Sequence, residues 1–225
     1  MKLLFRLPAI ATGLCALWAL CAAVTPAHAW TSYNTGQYFS TQSGSYILYT
    51  DEWGSTAPVT MYYDSVTHWC LYCSFSGGGV KAYPHTQVNV NVSDSTSVSG
   101  SYNGSPASGT FDFAWDNWDS NGAEYMIWED WGGGAGPLGS EVKSNVSIDG
   151  STYNVYSGND GHECISFLKT STNTSGSQNC NQIQQWAVSN KYTSSSTISN
   201  IQMGYEVSST NGNSNWIMNS FSASW

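Results

Sequence analysis

The 225 residues carry six Lys or Arg against fifteen Asp or Glu, a formal net charge of −9, with 9% of residues charged and 14% aromatic. So acidic a chain excludes nucleic acid and anionic membrane surfaces as electrostatic partners and fits a neutral ligand. Ser, Thr, Asn, Gly, Tyr and Trp suit exposed β-structure and carbohydrate, whose hydroxyls pair with amides and hydroxyls while its C–H faces meet aromatic rings.

At the N-terminus Lys2 and Arg6 form a short basic region, Leu14 to Val24 is an uncharged apolar-rich run, and Ala27-His28-Ala29 has the small-x-small pattern of a leader-cleavage site. Residues 1–29 therefore read as a signal peptide, too short in its apolar run to span a bilayer. The expected product is a secreted, soluble, monomeric protein starting near Trp30, with four basic residues against fifteen acidic ones. Residues 30–225 show no linker or repeat and suit one domain with a substantial core.

Along that domain, Ser45 to Tyr49, Gln87 to Val92 and Trp216 to Phe221 are strand-like, the second alternating with period two. Turn signals punctuate the chain at Ser76 to Gly79, Asn103-Gly104, Asn121-Gly122, Asp149-Gly150 and Asn211-Gly212. Asn181 to Asn190 breaks the pattern, with Ile183, Trp186 and Ala187 at helical intervals. The expected fold is all-β: a jelly-roll sandwich of two antiparallel sheets with a concave cleft and one short helix.

Cys15 and Cys21 leave with the leader, so Cys70, Cys73, Cys164 and Cys180 remain. In an exported chain an even number reads as two disulfides, locally Cys70–Cys73 and Cys164–Cys180, although four cysteines allow three connectivities. The rival readings of Cys70-x-x-Cys73 are half of a zinc site, which lacks a second close pair, and a redox motif; structural disulfides are the expectation, with no metal or other cofactor.

Of the six glutamates beyond the leader, two keep unusual company. Glu124 opens Glu-Tyr-Met-Ile-Trp, a strand with Glu124, Met126 and Trp128 on one face. Glu206 follows Gly204-Tyr205 and points from a strand toward the same kind of surface. Two facing carboxylates are what glycoside hydrolysis requires, at about 5–5.5 Å for the retaining route and wider for the inverting one.

Several segments, in order along the chain, resemble glycoside hydrolase family 12, the small jelly-roll cellulases and xyloglucanases. Tyr46-Ile47-Leu48-Tyr49-Thr50-Asp51-Glu52-Trp53-Gly54 resembles the family's early strand ending Asn-Asn-Leu-Trp-Gly, and Val80-Lys81-Ala82-Tyr83-Pro84 its Val-Lys-Ser-Tyr-Pro. Glu124-Tyr125-Met126-Ile127-Trp128 matches the nucleophile motif. Gly136-Pro137-Leu138-Gly139-Ser140 matches Gly-Pro-Ile-Gly-Ser, Tyr153 to Gly158 resembles Trp-x-Leu-Tyr-x-Gly, and Gly204-Tyr205-Glu206 falls where the family's acid/base lies.

The resemblance implies a retaining endo-β-1,4-glucanase acting on cellulose, mixed-linkage β-glucan or xyloglucan. Glu124 would be the nucleophile, Glu206 the general acid/base, and Asp112 a neighbour of the nucleophile that tunes it. Trp53, Met126, Trp128 and Pro137 match positions shaping the cleft floor, and Phe75 stands where the family has a substrate-side Trp. Asp51, Glu52, Phe75 and Glu129 depart from the pattern. A family 11 xylanase would lack the Met-Ile-Trp signature, and a non-catalytic carbohydrate-binding module would keep the aromatics without needing both glutamates.

Overall fold

A computed structural model describes residues 30–93 and 96–225; residues 1–29, read from sequence as a signal peptide, lie outside the described residues. In chain order the first seven strands are β1 (Ser32–Asn34), β2 (Ser40–Ser43), β3 (Tyr46–Tyr49), β4 (Thr60–Ser65), β5 (His68–Cys73), β6 (His85–Ser93) and β7 (Ser99–Ser105). There follow β8 (Gly109–Asp119), β9 (Glu124–Gly132), β10 (Ser140–Ile148), β11 (Ser151–Asn159), β12 (Glu163–Lys169) and β13 (Ser175–Asn179). Helix α1 (Cys180–Ser189) precedes β14 (Thr197–Thr210) and β15 (Ser214–Ser224).

The strands form a six-stranded sheet, β1-β4-β5-β15-β7-β13, and a nine-stranded sheet, β10-β11-β12-β9-β8-β14-β6-β3-β2. The two-sheet sandwich with one helix is as expected, with one difference. The larger sheet is mixed, because β12 pairs with β9 in parallel, Cys164 opposite Glu124. The hairpin β10–β11 intervenes in sequence, so β12 returns to β9 in the same direction.

Period-two alternation assigns each side chain to the core or to the open face of the larger sheet. On β14, Ile201, Met203, Tyr205 and Val207 enter the core, so Gln202, Gly204 and Glu206 face outward. On β8, Phe111, Phe113 and Trp115 point inward and Asp112, Ala114, Asp116 and Trp118 outward. Trp69, Trp115, Trp216, Tyr205 and Phe113 are fully buried between the sheets. Aromatic side chains bury about 150–250 Å2 each, roughly 4–6 kcal/mol of gross transfer free energy apiece at about 25 cal/mol/Å2. Phe113 and Tyr205 stack with centroids 4.4 Å apart, and Gly104 lies beneath their rings, where a Cβ would strike both. Asn103-Gly104, expected as a turn, therefore lies inside β7: the glycine answers a close packing contact. Asp149-Gly150 does form its hairpin turn, with φ of 47° and 77°.

Three other expectations are corrected. The four cysteines are buried free thiols. On β5, Cys73 faces the core with Trp69 and Leu71 while Cys70 lies on the opposite face; three strand steps separate them by about 10 Å, beyond the ~7 Å a disulfide tolerates. Cys164 belongs to a cluster on the open face with Ala114, Met126, Trp128 and Leu168, whereas Cys180 starts α1 in the inter-sheet core. Phe75 is 3% exposed within that core and cannot meet substrate. Glu129 is also not beside the cleft. It is fully buried, paired with Lys169, and accepts hydrogen bonds from Tyr102 Oη (2.5 Å) and Trp115 Nε1 (3.2 Å).

Candidate active site

The outward face of β14, β8 and β9 brings the acidic residues together. Glu206 on β14 is registered opposite Asp112 on β8. Glu124 on β9 is opposite Trp118, and Met126 opposite Asp116. Glu124 and Glu206 both border two adjoining depressions. One, of about 470 Å3, is lined by Tyr49, Asp51, Trp53, Tyr83, His85 and Gln87 on its far side. The other, of about 440 Å3, is lined by Met126, Trp128, Pro137, Leu138, His162 and Cys164. The glutamate pair thus stands midway along a cleft with space on both sides. A depression of about 450 Å3 on the smaller sheet around Ser99 and Ser222, and one of about 580 Å3 beside α1 around Trp186, hold no carboxylate pair; chemistry, not size, distinguishes the site.

Of the cleft residues expected from sequence, Trp53 is 53% exposed and borders the first depression, where its indole is free to meet a sugar face. Met126, Trp128 and Pro137 line the second, with Trp128 2% exposed on its floor. Asp51 borders the first depression at a φ of 39°. Glu52 is buried behind it in an isolated bridge to Ala82.

The electrostatics are those of four carboxyl groups crowded into a dry site. Burial, then the charge of Glu206, pushes Asp112 far above the usual carboxylate range. Burial, then the charge of Glu124, does the same to Asp116. Burial and the neighbouring carboxyl groups thus favour the protonated form of both aspartates, Asp112 hydrogen-bonded to Glu206 and Asp116 to Glu124. Asp112, expected to serve the nucleophile, serves the other glutamate by strand register, and the partner of Glu124 is Asp116. Alternation along β8 carries the signal that identifies Asp116, since Asp112, Ala114, Asp116 and Trp118 share one face. Burial raises Glu206 as well; the Asp112 hydrogen bond opposes the shift, and the charge of Glu124 adds to it.

Two further residues come from segments with no acidic motif. Tyr83 is buried, its hydroxyl has no hydrogen-bond partner among the described residues, and its ionisation is suppressed by burial and by Asp116, Glu206, Asp112 and Glu124. Its Oη remains a donor aimed among the carboxyls. His85 is sandwiched between Tyr83 (4.3 Å) and Tyr49 (4.9 Å). Its Nδ1–H donates to the Tyr83 carbonyl at 2.8 Å, and burial lowers its pKa to about 4, so it is a neutral wall of the cleft.

No family profile matches the sequence. Individual relatives do. Over 181 residues the chain is 31% identical to xyloglucan-specific endo-β-1,4-glucanase A of Aspergillus aculeatus, covering 69% of this chain and 75% of that protein. The enzyme of the same name from Emericella nidulans is 28% identical over 197 residues, 76% of this chain and 82% of that one. The xyloglucanase domain of NopAA, a type three effector from Sinorhizobium fredii solved with cellobiose, superposes with a TM-score of 0.81 at 30% identity, over 86% of this chain and 98% of that domain. The native family 12 xyloglucanase of Bacillus licheniformis shares the fold, with a TM-score of 0.77 at 21% identity over 86% and 99% of the two chains. Sequence relationship, jelly-roll fold and the facing glutamates agree: this chain belongs to glycoside hydrolase family 12.

Proposed function

We propose that the protein is a secreted, endo-acting, retaining β-1,4-glucan hydrolase, with Glu124 the nucleophile, Glu206 the general acid/base, and xyloglucan its principal substrate. One observation carries the assignment. The two glutamates stand at the middle of one cleft in unlike environments: Glu206 is pushed up by burial and by the Glu124 charge, while Glu124 is in contact with the donors Asp116 and His162. Glu206 is thus suited to hold a proton, while Glu124 has hydrogen-bond donors placed on its carboxyl group. Membership of family 12 supports the retaining route, in which one carboxylate bonds to the sugar and the other serves as acid and then base. The names of the relatives support xyloglucan, and the leader supports export.

In the first step a Glu124 carboxylate oxygen bonds to the anomeric carbon as the glycosidic C–O bond breaks, and the departing oxygen takes the Glu206 proton. In the second, water gives a proton to Glu206 and attacks the same carbon, and the electron pair of the Glu124–sugar bond returns to the carboxylate. Asp112 and Asp116, hydrogen-bonded to Glu206 and Glu124, orient the two reacting carboxyl groups for these steps. Trp53 stacks on one side of the scissile bond, and Met126, Trp128 and Pro137 form the floor on the other. Space on both sides of the pair suits internal cleavage. Purified protein should release reducing ends from soluble xyloglucan and β-glucan, and Glu124→Gln should abolish that release with melting unchanged. Undiminished hydrolysis by this variant would remove Glu124 from the chemistry.

A further inference from the structure

Glu124 shares the cleft with the carboxyl groups of Glu206, Asp112 and Asp116, so the hydrogen-bond donors that reach its two oxygens decide how it is held. Among the described side chains bordering the two depressions, His85 and His162 alone can carry positive charge. His85 is committed elsewhere, its Nδ1 bound to the Tyr83 carbonyl and its ring clamped between two tyrosines. His162 places Nε2 3.0 Å from Glu124 Oε2. A carboxylate only accepts, so Nε2 carries the hydrogen and donates.

The local sequence builds this contact. His162 occupies the tight turn between β11 and β12, where Asn159 Oδ1 accepts from the Gly161 amide (3.1 Å), Gly161 has a φ of 86°, and the Asp160 amide reaches the His162 carbonyl (3.2 Å). Registration of β11 with β12, and of β12 with β9, then sets the turn over the start of β9. Trp118, the residue opposite Glu124, holds the imidazole from the other side with ring centroids 4.7 Å apart.

We propose that His162 is a positioning residue for Glu124: its Nε2–H fixes Oε2 as the non-attacking oxygen and stabilises the carboxylate that attacks and is later regenerated. The inference rests on the reading of Glu124 as nucleophile. The donor matters most when the nucleophile bears its full charge, in the free enzyme and at completion of the second step. The other groups facing Glu124 are Asp116 and Asp112 from β8, Glu206 from β14, Tyr83 from the segment before β6 and Cys164 from β12; Asp160 shares the depression with His162. Loss of the imidazole removes the Nε2–H donor from Glu124 Oε2 and leaves that oxygen facing the other acids.

The test is kcat/KM on soluble β-glucan from pH 3 to 9 for wild type, His162→Ala, His162→Gln and Glu124→Gln, with melting of each. A hydrogen bond to a charged group is worth roughly tenfold or more in an equilibrium. His162→Ala should therefore lose about tenfold or more in kcat/KM and move the acid limb up by about one pH unit. His162→Gln, whose amide can still donate, should recover most of both. Equal loss at every pH with an unmoved acid limb, or wild-type behaviour of His162→Ala, overturns the positioning role. Active wild type with dead Glu124→Gln would then leave the hydrolase reading standing, whereas an active Glu124→Gln would defeat that reading itself.

Discussion

Substituting Lys169→Met exposes the energetics of the acid buried between the sheets. Glu129 is 0% exposed, and Lys169, 7% exposed, holds it by an ion pair supported by Tyr102 and Trp115. Burial is the largest influence on Glu129 and raises its carboxyl; the Lys169 charge and hydrogen bond oppose it. Methionine preserves most of the lysine volume but removes the charge. Breaking a buried pair costs about 3–5 kcal/mol, yet a carboxylate can escape part of that by taking a proton. From an unfolded value of 4.5, protonation at pH 7 costs ~3.4 kcal/mol, and at pH 5 ~0.7 kcal/mol, at about 1.36 kcal/mol per pH unit. The sign follows from linkage: in the variant the folded carboxyl is raised further, so stability is retained below pH 4.5 and lost as pH climbs. The variant should therefore be about 3 kcal/mol less stable than wild type at pH 7, roughly 6–12 °C in Tm for a domain of this size, and within about 1 kcal/mol at pH 5. Glu129→Gln added to Lys169→Met should flatten this pH dependence. Denaturant unfolding of the three proteins at both pH values measures it. A deficit equal at pH 5 and pH 7, or below 1 kcal/mol at pH 7, would refute the reasoning.

Asp112→Ala removes the hydrogen bond that holds Glu206 down against burial and the Glu124 charge. Since Glu206 must be protonated to act as acid, the alkaline limb of kcat/KM should move to higher pH; a shift to lower pH in the same titration would contradict the arrangement. The four thiols of the domain are unpaired, and burial raises Cys70, Cys73 and Cys180 to about 12. A thiol reagent should therefore find almost none in the native domain at pH 8 and four per molecule in denaturant without reductant, whereas two disulfides would give none in either state.

Much of the scaffold was legible in the sequence because its signals are local. The strand-like runs Gln87 to Val92, which alternates with period two, and Trp216 to Phe221 lie inside β6 and β15, and Ile183 and Ala187 do face the core from α1. Local signals failed where the cause was distant. Asn103-Gly104 resembles a turn, but its glycine is dictated by Phe113 and Tyr205, far along the chain. The Cys-x-x-Cys spacing suggests a bridge until the strand places the two thiols on opposite faces. Glu129 stands next to a cleft motif yet alternates inward, where Lys169, forty residues on, with Tyr102 and Trp115, explains it. The site divides in the same way. Glu124 and Glu206 carry recognisable motifs; Asp116, Tyr83 and His162 reach them only through strand register and a turn between other strands, which no short segment encodes.

The account stands most directly on Glu124 bonding to the sugar. A 2-deoxy-2-fluoro-β-glucoside or cellobioside with a good leaving group slows both steps but the second more, so a covalent adduct accumulates. Proteolysis and mass spectrometry of the inactivated protein should place the added sugar mass on the peptide containing Glu124, with no adduct in Glu124→Gln. A label on Glu206 or any other residue, or turnover of β-glucan to α-configured first products with no adduct formed, would contradict it.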